Sequence, residues 1–340
     1  MGVALSAAGG SEKAPTRSTA RKARLVRTFL AGRPIHCTWQ LSPRCESFCH
    51  FCDHRADSVA DALDTEGCAG VAERLSAAGS LLVSFTGSDP FLRGDLPAIV
   101  GAVARWHFPL LVTNGWLVTP SSARAVWEAG LEAATVTLFD AEPARHDAIT
   151  GVPGSHARAV SALETLGRER TRPSQRVNAR TRLSDADVSR LPALLDLAKG
   201  REATVVVEAA FPLPDEGTGA DGLGGRLQEI RRQHRNLRTS ERVLARLEQA
   251  LDGGVPGCQA GRAFFNIDHR GRLSKCLEFQ GDDDRVGDLT DGAIGPLLPR
   301  LKARHEANGC QACWYASRSE IEALYTVRGF FGGLADLVRS

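Results

Sequence analysis

At 340 residues the chain has room for about two domains and a large core, which excludes a peptide or a fold that depends on disulfide staples. Charged residues make up 24% and hydrophobic residues 43%, the balance of an ordinary globular protein and not of a disordered one. A net charge of +2 excludes an overall nucleic-acid footprint, so no nucleic-acid partner is expected.

The first 33 residues are locally basic, with Lys13, Arg17, Arg21, Lys22, Arg24, Arg27 and Arg33 against the single acid Glu12. In an Ala/Ser/Gly-rich setting this reads as a flexible tail over 1–33. From residue 34 short apolar runs alternate with longer amphipathic stretches. The runs are 34–39, 81–85, 109–113, 134–138, 175–179 and 203–208, several apolar at nearly consecutive positions, as strands buried on both faces of a parallel sheet should be. Helical spacing fills the gaps, as in Val59, Leu63, Val71 and Leu75, or Leu191, Leu194, Leu195 and Leu197 behind the cap Ser184-Asp185. Six such repeats predict an α/β core over 34–249, either a barrel or an open sheet.

The pattern changes near residue 250, where Asp252-Gly-Gly-Val-Pro-Gly257 marks a boundary. Ala263–Asp268, a turn at His269-Arg-Gly271 and Leu273–Phe279 predict a hairpin, followed by helices at about 294–305 and over 317–340. A small second domain over 250–316 is the expectation. No run of eighteen apolar residues and no signal-type start is present, so the expectation is a cytoplasmic protein without a transmembrane segment. Nine cysteines that sit in clusters then point to metal or catalysis.

Cys45, Cys49 and Cys52 form a Cys-x3-Cys-x2-Cys loop just after the first strand. Three converging thiolates suit an iron–sulfur cluster, and on a four-iron cluster they leave one iron open. Zinc is the alternative, with His50 or His54 as fourth ligand. The loop, with Phe51 before its last cysteine, resembles the signature of the radical S-adenosylmethionine (SAM) superfamily. Gly87-Ser88-Asp89-Pro90 after the second strand resembles the family's Gly-Gly-Glu-Pro motif, with Ser88 for the second glycine and a shortened acid at Asp89. The resemblance implies SAM on the open iron, with Phe51, Gly87, Ser88, Asp89, Pro90, Asn114, Thr137 and Arg180 as cofactor-binding positions. It also implies a partial (β/α)6 TIM-type barrel. Arg180 as an ordinary surface arginine is the alternative for that position. His146–Gly154 resembles a loop of relatives that carry an auxiliary cluster; a cap and turn before the next helix is the other reading.

Cys258, Cys276, Cys310 and Cys313 form a second set, with Gly271 between the first two and a closing Cys-x2-Cys. The spacing resembles the SPASM/twitch auxiliary domain in its short twitch form, similar to the pattern of the butirosin aminocyclitol dehydrogenase. It implies a second [4Fe-4S] cluster, fully ligated; a zinc ribbon is the alternative. Cys37, Cys68, His36 and His107 read as packing or surface residues.

These motifs imply an enzyme that cleaves SAM reductively to a 5′-deoxyadenosyl radical, fed by a flavodoxin- or ferredoxin-like donor. The radical would take a hydrogen atom from a small-molecule substrate, for oxidation or epimerisation. A radical SAM peptide-modifying maturase is one alternative, and a non-catalytic metal-binding or electron-carrier protein is another.

Overall fold

The structure is a computed structural model that describes residues 17–49, 52, 61–209, 222–251 and 254–325. Six strands alternate with helices along the chain: β1 (His36–Gln40), β2 (Leu82–Thr86), β3 (Phe108–Thr113), β4 (Ala133–Thr137), β5 (Arg176–Leu183) and β6 (Thr204–Ala209). Each pairs in parallel with the next. The sequential order is that of a partial (β/α)6 barrel.

Six of the helices lie between these strands: α2 (Thr65–Leu75) behind α1 (Arg17–Leu30), then α3 (Leu96–Ala104), α4 (Pro120–Glu128), α5 (Pro143–Thr150), α6 (Ser155–Arg168) and α7 (Leu191–Lys199). Local chemistry fixes their starts. Asp64 caps α2 by accepting the Gly67 N–H at 2.8 Å, and Thr119 and Ser122 form a reciprocal capping box on α4. One face of each strand points out to the helices: Cys37 and Trp39 of β1 and Val83 and Phe85 of β2 are fully buried in the main core, and Cys68 packs there from α2. The packing roles expected of Cys37 and Cys68 hold. His107 is also structural, accepting the Leu81 N–H through Nδ1 while Nε2 lies 3.0 Å from the Ala72 carbonyl.

The chain before β1 differs from the expected tail, because from Arg17 it is helical. Leu25 and Phe29, four residues apart, bury one face of α1 beside Ile35 and Phe264. Arg21 donates to the carbonyls of Ala104 and His107, both at 2.8 Å, and pairs with Glu132 at 2.9 Å. Residues 1–16 lie outside the described chain.

The region after 250 differs as well, since its strands extend the main sheet. After α8 (Leu223–Gln233) and α9 (Glu241–Leu251), β7 (Phe264–Ile267) pairs in parallel with β1. β8 (Arg272–Ser274) and β9 (Arg285–Asp288) follow antiparallel, giving one nine-stranded sheet in the order 6-5-4-3-2-1-7-8-9. Gly271, at φ +84°, makes the expected hairpin turn. β8 stops at Ser274, short of the expected Phe279, and Ser274 Oγ turns back to the Cys276 carbonyl at 3.1 Å. The predicted later helices appear as α10 (Leu297–Glu306) and α11 (Ala316–Leu324), and residues 326–340 of the expected C-terminal helix lie outside the described chain.

Both sides of the barrel gap are dressed. The outer edge of β6 is covered by the chain at 236–239, with Val205 N–H to the Asn236 carbonyl and Arg238 N–H to the Val205 carbonyl, both at 2.7 Å. Ala209 N–H reaches the Trp314 carbonyl at 3.3 Å, and α11 touches both β1 and β6. α11 therefore stands in the opening between the first and last strands of the partial barrel.

Candidate functional site

Period-two alternation turns the other face of each strand into the barrel interior. That face mixes apolar side chains, among them Leu82, Leu110, Val112 and Val206, with polar ones. It carries His36, Thr38 and Gln40 on β1, Ser84 and Thr86 on β2, Thr135 and Thr137 on β4, Asn178 and Arg180 on β5 and Glu208 on β6. Hydrogen bonds link neighbouring strands across it: His36 Nε2 and Ser84 Oγ at 2.9 Å, Asn178 Nδ2 to Thr135 Oγ1 at 3.3 Å, Arg180 Nη2 to Thr137 Oγ1 at 3.0 Å. His36, expected as packing, lies at the closed end of the interior, and burial pushes its pKa down to about 4.

The interior opens into a cavity of about 370 Å³. Cys45, Cys49 and Cys52 line it, together with Gly87, Ser88, Asn114, Thr137 and Arg180. Five of the expected cofactor positions thus share one cavity with the first cysteine set. Asp89 and Pro90 are not among its lining residues. Asp89 is 1% exposed and spends its carboxylate on the fold: Oδ1 accepts the Phe91 N–H at 3.0 Å, and Oδ2 accepts Thr113 Oγ1 at 2.7 Å and Asn114 N–H at 3.0 Å. Burial nevertheless pushes its pKa up to about 6. The shorter acid is thus tied under the loop, with both carboxylate oxygens already engaged by the protein. Phe51, His50 and His54 lie outside the described residues.

The cysteine loop is tied down at several points. Arg93, paired with Asp95 at 2.7 Å, donates to the carbonyls of Leu41 at 3.3 Å and Leu63 at 2.7 Å, on either side of the loop. Phe48 N–H donates to the Thr150 carbonyl at 2.9 Å. Asn114 Nδ2 reaches Ser47 Oγ at 3.2 Å and Cys45 Sγ at 3.6 Å. Two glycines make the close approaches possible. At Gly87, φ +99°, an added Cβ would lie 2.6 Å from Gln40 Cγ; at Gly115, φ +85°, it would lie 2.9 Å from Ala159 Cα.

His146 is a site residue that the sequence reading did not single out. Its Nδ1 accepts the Phe139 N–H at 3.1 Å, so Nε2 carries the proton of the neutral ring, and the residue lines the cavity. Burial, then the neighbouring His156, pushes its pKa down to about 4. The segment around it has the form of a cap and turn: Asp147 accepts Gly154 N–H at 2.6 Å, His156 N–H at 2.8 Å and Ser155 Oγ at 2.9 Å. Its His-Asp pair was the available signal.

The second set also converges. Cys258, Cys276, Cys310 and Cys313 line one small cavity. Thr38, Leu277, Glu278 and Tyr315 line both this cavity and the large one, so a wall one side chain deep separates the two cysteine sites.

The donor sets fit iron–sulfur clusters. Burial raises the Cys45 pKa and pushes Cys49 up to about 11, and it pushes Cys276 and Cys313 up to about 12, as expected for thiols grouped without a metal's charge. Donors already face the sulfurs: Asn114 at Cys45, Ala312 N–H to Cys310 Sγ at 3.5 Å, and Arg318 Nη1 to Cys313 Sγ at 4.0 Å. Among the described residues, no three His, Cys, Asp or Glu side chains close around a single metal ion.

Residues 39–177 match the radical SAM superfamily model, from the first strand through the cysteine loop into β5. These residues are a radical SAM domain. Over 140 residues the chain is 30% identical to the PqqA peptide cyclase of Gluconobacter oxydans, a match that covers 40% of this chain and 39% of that one. It is 26% identical over 273 residues to a probable GTP 3′,8-cyclase of Pyrobaculum aerophilum, covering 76% and 83% of the two chains. The chain spans only 36% to 39% of the length of several curated relatives, two AdoMet-dependent heme synthases and the PqqA cyclase. In fold it resembles native anSMEcpe with bound AdoMet and Kp18Cys peptide, with a TM-score of 0.62 over 90% of this chain and 99% of that one at 14% identity. The family's chemistry uses a [4Fe-4S] cluster and SAM. No helix among the described residues is long and apolar enough to cross a membrane.

Proposed function

We propose that this chain is a radical SAM enzyme of SPASM/twitch type that oxidises a polar small molecule held between two iron–sulfur clusters. One observation carries the reading: a single cavity is lined by the Cys45/Cys49/Cys52 loop and by Leu277, Glu278 and Tyr315, which also wall the four-cysteine site. A substrate there lies between the two cysteine sets.

Cys45, Cys49 and Cys52 would hold the first cluster, and Cys258, Cys276, Cys310 and Cys313 the second. When bound, the first cluster and SAM supply a 5′-deoxyadenosyl radical after one electron arrives from a flavodoxin- or ferredoxin-like donor. The chain's own residues do the positioning. Asn114 donates to Cys45 Sγ, Gly87 and Ser88 offer a close backbone approach, and His146, its Nδ1 held by the Phe139 N–H, lines the same cavity. Arg180, 3.9 Å from Glu208, suits the carboxylate of SAM through its planar fork. The polar side chains set among the apolar lining, Thr38, Ser84, Thr137 and Asn178 among them, suit a substrate that carries hydroxyl or amino groups. Oxidation removes two electrons and two protons from the substrate: one hydrogen atom would go to the radical that bound SAM supplies, the second proton to Glu278, which lines both cavities, and the remaining electron to a cluster held by the four cysteines.

The match to a PqqA peptide cyclase favours a second reading, in which the occupant is one side chain of a peptide. Incubation with SAM and dithionite in D2O and in H2O, with candidate aminocyclitols and with a peptide pool, separates the readings. Oxidised small molecule alongside 5′-deoxyadenosine supports the first, and a peptide two mass units lighter supports the second. A product that gains solvent deuterium without net oxidation contradicts oxidation and indicates epimerisation.

A further inference from the structure

A buried ion pair stands behind the second cysteine site. Arg318 and Glu322, one turn apart on α11, meet at 2.9 Å with side chains 1% and 5% exposed. The guanidinium donates to the Cys313 carbonyl at 2.5 Å and the Val255 carbonyl at 2.6 Å, and its Nη1 lies 4.0 Å from Cys313 Sγ. Glu322 Oε1 also accepts the Gln259 N–H at 2.7 Å. The pair therefore grips the chain on both sides of Cys258 and at Cys313. Buried ion pairs are weak stabilisers, because desolvating two charges consumes most of their attraction, and apolar packing would hold these segments as well. What apolar packing cannot supply is a fixed positive charge beside a thiolate.

We propose that Arg318 is a positioning residue that raises the reduction potential of a cluster held by Cys258, Cys276, Cys310 and Cys313, with Glu322 limiting the effect. The inference rests on the second cluster proposed above. Reduction adds one electron to a thiolate-ligated centre that is already negative, and a cation held close by in a medium of low dielectric favours that added charge. The carboxylate acts in the opposite sense from the far side of the guanidinium. The couple is a one-electron reduction by added dithionite, with no proton assigned to it.

The test uses the full chain carrying Cys45→Ala, Cys49→Ala and Cys52→Ala, so that only the second cluster is seen, reconstituted anaerobically and titrated by EPR. About four irons per chain are expected; zinc, or no iron, removes the second cluster and this inference with it. Glu322→Gln keeps the acceptor for Gln259 and Arg318 but drops the charge, so the potential should rise. Arg318→Met should lower it by about tenfold in the equilibrium, roughly 59 mV. Arg318→Lys, which retains the charge, should recover at least half of that. Four irons with unchanged potentials in Glu322→Gln and in whichever Arg318 variant retains iron would overturn the inference while leaving the second cluster standing. A shift of the same sign in Glu322→Gln and Arg318→Met would overturn it too, since a merely structural role has no charge sign.

Discussion

Removing the Asp89 carboxylate separates two opposing effects that the structure puts at one buried atom pair. In Asp89→Ala the Phe91 and Asn114 N–H groups and the Thr113 hydroxyl lose their acceptor. Each buried donor left unpaired costs about 1–3 kcal/mol, or roughly 3–9 kcal/mol together. Against this, the wild type is destabilised by holding a buried carboxylate. Its pKa rises from 3.8 to about 6 on folding. A raised carboxylate pKa means that the stability present below pH 4 is lost as pH climbs through 6, about 3 kcal/mol in full. About half of that loss, roughly 1.4 kcal/mol, falls between pH 5.0 and pH 7.5 by the same linkage. The substitution should therefore cost more at pH 5.0 than at pH 7.5, by about 1.4 kcal/mol. Urea unfolding of the metal-free wild type and variant at both pH values measures the difference. An equal cost at both, or a larger one at pH 7.5, would refute the claim that desolvation dominates at Asp89.

Three further perturbations bear on the same framework. Gly115→Ala forces a Cβ into the left-handed region and against the α6 backbone, so a loss of about 2–4 kcal/mol in chemical unfolding is expected, and a loss under 1 kcal/mol would count against the close approach. Arg21→Ala removes the clasp between α1 and the chain at Ala104, His107 and Glu132; a loss of about 2–4 kcal/mol and early proteolysis between α1 and β1 should follow, whereas unchanged protease resistance would show that the helix is held by Leu25 and Phe29 alone. Asn114→Leu deletes the donor to Cys45 Sγ and Ser47 Oγ, and 5′-deoxyadenosine formation should slow at least tenfold with iron content retained; an unchanged rate would remove Asn114 from the positioning set.

Much of the barrel was legible because it is written locally. Buried parallel strands show as apolar runs, and each of the six predicted runs overlaps an observed strand within a few residues. The cysteine sets were legible for a chemical reason, since clustered thiols have few uses in a chain of this size. What was missed depends on distant partners. Nothing in Phe264–Ile267 announces that it pairs with β1, so in sequence the hairpin reads as a separate domain. The basic composition around Arg17–Leu30 hid a helix whose anchors, Leu25 and Phe29, find their partners far along the chain, and whose Arg21 bonds to carbonyls more than eighty residues away. The motif puts Asp89 in the loop after β2, but its side chain turns down to Thr113 and Asn114, a direction that no motif encodes. His146 lies in the His146–Gly154 segment, but its tautomer follows from the Phe139 N–H and its place on the cavity wall from the fold, neither of which the sequence shows.

Whether one cavity joins a SAM-cleaving cluster to a second, fully ligated one is decided by anaerobic reconstitution of the wild type and of Cys45→Ala, with an iron count and detection of 5′-deoxyadenosine after addition of SAM and dithionite. About eight irons per chain and nucleoside are expected from the wild type, and about four irons and no nucleoside from the variant. About two zincs per chain and no nucleoside from either protein would contradict that arrangement.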